Sequence, residues 1–109
     1  MAILITKEDS EKDYLKSLSY QASYQKVCDT LTDILRRRGY SLDSRNDTFF
    51  ELHFLHDNFR ILATVLMDSP RKTRIDFLIE AYGLFSKSKA KKELLEINEL
   101  LKKELTLCE

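Results

Sequence analysis

The chain has two histidines, His53 and His56, spaced as H-x-x-H. Histidine ligates zinc and moves protons at neutral pH, so this pair is the first place to look for chemistry. The surrounding alternation reads as a strand running into a turn, and a strand sends residues three apart to opposite faces. No cysteine or carboxylate cluster completes a ligand set, so no metal site is expected. Asp57 stands beside His56 without a nucleophile, which leaves no triad to assemble. Glu51, Asp76 and Glu80 are carboxylates on strand-like segments, with Arg60 and Arg74 near them in the pattern. Cross-strand ion pairs are the expected use of such a set. Gly39 and Gly83 are the only glycines. Both sit at ends of periodic segments, so no phosphate-cradling loop and no cofactor is expected. The reading is not that of an enzyme.

The basic residues are more suggestive. Arg36–Arg38, the set Arg71, Lys72 and Arg74, and the set Lys87, Lys89, Lys91 and Lys92 form three local groups. Converging, they would bind phosphates or nucleic acid. No aromatics are interleaved to stack bases. Lys+Arg and Asp+Glu both number 18, so overall charge favours no polyanionic partner. Cys28 falls on an apolar helical stripe and reads as a buried thiol, and Cys108 is far from it in sequence. That usage fits a reducing cytoplasm. The apolar run Ala2–Ile5 is too short for a signal peptide or a membrane span.

The elements that would hold these residues follow from hydrophobic periodicity. Composition is 43% hydrophobic and 33% charged over 109 residues, which suits one domain spanning 1–109 with a core that needs no staples. Ala2–Thr6 reads as an edge strand or a disordered start. Ser10 reads as an N-cap opening a helical stretch to Arg38, as one helix or as two segments breaking near Ser19–Ser23, with Ser23 capping the second. The Arg36–Arg38 run opposes the helix dipole, Gly39 takes the left-handed exit, and Tyr40 packs back on the helix. A short strand is expected over 40–45. Strands are then expected over Thr48–Leu55, Phe59–Met67 and Lys72–Tyr82, joined by turns at His56-Asp57-Asn58 and Asp68-Ser69-Pro70-Arg71. Ser86 or Ser88 caps a last helix running to about Leu105.

Alternation assigns one sheet face to Phe50, Leu52, Phe54, Phe59, Ile61, Ala63, Val65, Met67, Ile75, Phe77, Ile79 and Ala81. The expected fold is α+β: a two-layer sandwich with an antiparallel meander of three to four strands and both helices on that face. The other face is less polar than a wet face should be, because it carries Phe49, Leu55, Leu62, Leu66, Leu78 and Tyr82. A contiguous apolar patch of this kind marks an interface, unless the N-terminal segment around Ile3–Ile5 folds over it or the exposure is scattered.

The order of a helix over Tyr24–Arg38, a Gly39-Tyr40 exit, a meander ending in Gly83-Leu84-Phe85 and a Lys-rich helix over Lys87–Leu105 resembles small bacterial helix–meander–helix domains of unknown or accessory function. It is also somewhat similar to the secretion-chaperone type of α+β fold, which has more strands after its middle helix. The resemblance implies a ligand or protein adaptor. The residues point the same way. They suggest a non-enzymatic interaction module, self-associating or binding another protein through the outer sheet face. One alternative is nucleic-acid or anionic-ligand binding through Arg71, Lys72, Arg74, Lys87 and Lys89. A hydrophobic small-molecule carrier is the other.

Overall fold

A computed structural model of the chain describes residues 1–108. Strands β1 (Ala2–Ile5) and β2 (Leu18–Tyr20) precede helix α1 (Tyr24–Arg37). Strands β3 (Ser41–Asn46), β4 (Glu51–Leu55), β5 (Phe59–Ser69) and β6 (Lys72–Ala81) follow, then helix α2 (Ser86–Glu104). The fold is α+β with one antiparallel open sheet in the order β1-β6-β5-β4-β3, and β2 also pairs with β6. Among the described residues six strands are present rather than three or four, because the N-terminal third contributes two. β1 lies along the Leu78–Ala81 half of β6 and β2 along the Thr73–Ile75 half, as one interrupted edge.

The expected helical stretch from Ser10 is corrected by this arrangement. Residues 13–15 make a single 3-10 turn, residues 18–20 are strand, and α1 begins only at Tyr24. Ser23 is the true N-cap, its side-chain oxygen accepting from the Lys26 N–H at 3.1 Å. At the other end Tyr40 N–H donates to Leu35 C=O at 2.9 Å and Gly39 N–H to Arg36 C=O at 3.1 Å, while Gly39 has φ +92°. These paired bonds around a left-handed residue terminate a helix by satisfying its last carbonyls. α2 starts one residue after Phe85, with no side-chain cap from Ser86 or Ser88.

Leu52, Phe54, Ile61, Ala63, Val65, Ile75, Phe77, Ile79 and Ala81 are buried and share one sheet face. They form a single cluster with Val27, Leu31, Ile34 and Leu35 of α1 and Leu94, Ile97 and Leu101 of α2. Two residues assigned to that face lie outside the core. Phe50 is 44% exposed and closes the β3–β4 turn at φ 59°. Met67 is 57% exposed at the far end of β5, beside an irregularity in the β5–β6 register. Alternation continues past the residues the helices cover, so the pattern outruns the core. Cys28 is buried on α1 and both cysteines are free thiols.

Candidate functional site

Cross-strand register places the outer-face residues in rows. One row runs Ser44, His53, Leu62, Leu78 and Ile5 across five strands. The next row runs Leu55, Arg60, Glu80 and Ile3. Leu62 and Leu78 are therefore direct cross-strand neighbours, and Ile5, 55% exposed, extends them to the sheet edge. The N-terminal strand does not fold over this face. It joins the sheet and adds Ile3 and Ile5 to the apolar surface. An open depression of about 300 Å³ lies between Ile5, Leu62, Thr64 and Leu78.

The remaining expected surface residues are distributed around that centre. Leu55 and Tyr82 flank it at one end, where Tyr82 donates its hydroxyl to Glu80 at 2.9 Å. Leu66 lies opposite Arg74 and Phe49 sits in the β3–β4 turn, both beyond the polar row Glu51, Thr64 and Asp76. Ile3 and Ile5 were not among the expected surface residues. Their pairing with β6 spans most of the chain, and local alternation carries no signal of it.

The charged candidates are largely engaged within the fold. Arg74 bonds Asp76 at 3.0 Å and also pairs with Glu8, and Arg60 lies 3.9 Å from Glu80. Asp76 and Glu80 stand four residues apart on one strand, about 13 Å along it, and no group of three or more potential metal ligands occurs among the described residues. His53 lies on the outer face. His56 turns the other way: its Nδ1 accepts from Asn58 N–H at 3.0 Å and its ring stacks near Tyr40 at 4.8 Å. The two imidazoles do not converge. Arg71 in the β5–β6 turn and Lys72 at the start of β6 lie at one end, whereas Lys87 and Lys89 follow the opposite end of β6, separated by about 30 Å of strand. The expected anion-binding residues thus lie at two ends of the sheet.

A second polar group joins α1 to α2. Buried Glu93 accepts from the Tyr40 hydroxyl at 2.6 Å and pairs with Arg38, which also reaches Glu96 at 2.7 Å. Burial, then the bond to Glu93, pushes the Tyr40 phenol well above its ordinary value, and the same carboxylate holds Arg38 firmly charged. Glu93 was legible in part, since it lies three residues after Ala90 and four before Ile97 on the apolar stripe. Beside this group an open groove of about 570 Å³ runs along the exposed side of α2, with Leu95 and Leu100 between Lys91, Lys92 and Glu96. Between helices and sheet, the space bordered by Tyr20, Leu18 and Phe77 is too small to hold a water.

Comparisons with protein-family models, curated proteins and solved structures find nothing that matches this chain. No helix among the described residues is long and apolar enough to cross a membrane.

Proposed function

We propose that the protein is a non-enzymatic interaction module that self-associates through the outer face of its sheet. The observation that carries this reading is the half-buried Leu62–Leu78 cross-strand pair, continued by exposed Ile5, on the face opposite the buried core. Apolar neighbours in contact across strands lose their cost in water only when something covers them. Size supports a second copy as the cover. The face is about 20 Å across, the β5–β6 hairpin gives it about 33 Å of length, and its projection, on the order of 600 Å², approaches the roughly 800 Å² per partner of a stable interface. The Arg60–Glu80 pair lies in the row beside Leu62–Leu78 and gives the face a polar contact of the kind interfaces carry.

The test is the solution mass by light scattering across protein concentration, for the native chain and for Leu62→Asp with Leu78→Asp. A dimer or larger assembly that becomes monomeric in the folded double variant supports the reading. A native chain that is monomeric at every concentration removes self-association. A variant that unfolds shows the face to be core, and the reading fails.

A further inference from the structure

Between β6 and α2 the chain makes a knuckle of two large apolar residues that touch little of the molecule. Leu84 is 82% exposed and Phe85 is 80% exposed. Phe85 also holds φ 59° and ψ 30°, the left-handed region that disfavours a bulky side chain. Glycine would relieve that strain, yet the chain keeps a phenylalanine there. Strain retained at an exposed position, with no packing to show for it, marks a place where the side chain serves something outside the fold.

The charge around the knuckle is one-sided. From Tyr82 to Lys92 the chain has Lys87, Lys89, Lys91 and Lys92 and no acidic residue, although the chain as a whole is neutral. None of these four lysines makes an ion pair among the described residues. Lys89 Nζ donates to the Tyr82 carbonyl at 3.0 Å, and Lys91 lies 4.4 Å above the Tyr14 ring. Lysines in the first turns oppose the helix dipole, so they do not serve α2 itself. Nearby acids are otherwise engaged: Glu80 with Arg60 and Tyr82, and Glu93 and Glu96 with Arg38. Asp57, in the β4–β5 turn, is the exception. Exposed Met1 lies at the same end, beside the Ala2–Ala81 pair.

We propose that Leu84 and Phe85 form a docking tip for an anionic lipid surface. The two side chains enter the boundary between headgroups and acyl chains, and the four lysines remain at the level of the lipid phosphates. A protruding apolar pair followed by four lysines with no acidic residue among them complements a surface that is negative at its rim and apolar beneath. The tip lies at one end of the sandwich, so it is separate from the Leu62–Leu78 centre and does not depend on self-association.

The experiment is co-sedimentation of the full chain with vesicles of phosphatidylcholine alone and of phosphatidylcholine with phosphatidylserine, at low and at raised salt. The native chain is expected to sediment with the phosphatidylserine vesicles only, and less at raised salt. Leu84→Ser with Phe85→Ser should lower binding at least about tenfold. Lys87→Gln and Lys92→Gln should each lower it about fivefold. Phe85→Gly should weaken binding while raising the thermal midpoint, because it removes the ring and the backbone strain together. That opposite movement keeps lost binding distinct from lost folding. Failure to sediment with phosphatidylserine vesicles at low salt overturns the proposal in favour of a protein pocket. Undiminished binding by the Leu84→Ser, Phe85→Ser chain also overturns it, since lysine adsorption alone would then account for the result.

Discussion

Tyr40 donates its hydroxyl to the Glu93 carboxylate at 2.6 Å, tying the exit of α1 to the middle of α2. The tie follows from the helix ending: Gly39 reverses the chain so that Tyr40 turns back over the α1 terminus, while Arg38 reaches the same carboxylate. Tyr40→Phe removes a hydrogen bond to a charged, buried acceptor and should lower stability by about 1.5–3 kcal/mol. Glu93→Ala should cost more, about 3 kcal/mol, because it strips a partner from a shielded ion pair. Glu93→Gln keeps an acceptor for Tyr40 and should fall between them. Urea unfolding midpoints rank the three; a Tyr40→Phe chain as stable as the native one would remove the tie as a stabilising feature.

Tyr20 shows the opposite case. Its ring is buried beside Leu18, Ile75 and Phe77, and its hydroxyl is the one buried side-chain polar atom without a hydrogen-bond partner among the described residues. Tyr20→Phe keeps the ring and deletes the unsatisfied group, so it should raise stability by about 1 kcal/mol. Two buried tyrosines changed to phenylalanine should therefore shift the same unfolding curve in opposite directions.

Both tyrosines contribute to the alkaline limit, alongside Tyr24 and Cys28, whose ionisations burial also pushes up. Burial, the largest cause in each, pushes both phenols above the ordinary value of 10.0, with Glu99 adding to the effect on Tyr20 and Glu93 to that on Tyr40. The folded chain holds these protons longer than the unfolded chain does. Their contribution is complete below about pH 10 and is lost as pH rises above it, because the unfolded chain then ionises first. Denaturation measured at rising pH should show a decline that begins near pH 9, where the unfolded Cys28 thiol ionises, and steepens above pH 10, and Tyr40→Phe should make the steeper part shallower. A stability independent of pH in this window would contradict the assignment.

How much of this was legible in the sequence depended on whether a residue's partner was local. Strands β4, β5 and β6 follow from alternation, the Gly39 exit follows from its cap residues, and α2 follows from its period although neither Ser86 nor Ser88 caps it. The stretch Tyr14, Leu15, Leu18 and Ala22 has helical spacing, yet a 3-10 turn and the three-residue β2 place the same residues against the core. Pairing Leu18 with Ile75 or Ile5 with Leu78 needs the register of distant segments, which no local pattern contains. The same limit hid part of the candidate surface: Leu62 and Leu78 were visible as outward residues, whereas Ile3 and Ile5 gained that role only when β1 joined β6.

Thr6 is where that edge strand leaves the sheet. Its N–H donates to Phe77 C=O at 2.8 Å in the ordinary way, but the returning Phe77 N–H donates to Thr6 Oγ1, also at 2.8 Å, in place of the backbone carbonyl. The side chain thus completes the ladder and frees the main chain to depart. Lys7 then bonds Leu15 and Ser17 at 3.0 Å each, and the chain returns to β6 as β2. Thr6→Val preserves shape and removes the acceptor, leaving a buried N–H unpaired, and should cost about 1–3 kcal/mol. Thr6→Ser restores the oxygen and should recover most of that loss. Amide exchange at Phe77 separates this local cause from a general loss of packing: it should quicken in Thr6→Val and return toward native in Thr6→Ser. Equal exchange in all three chains would mean that the Lys7 backbone bonds alone hold the excursion, with the hydroxyl playing no part in the split of the edge.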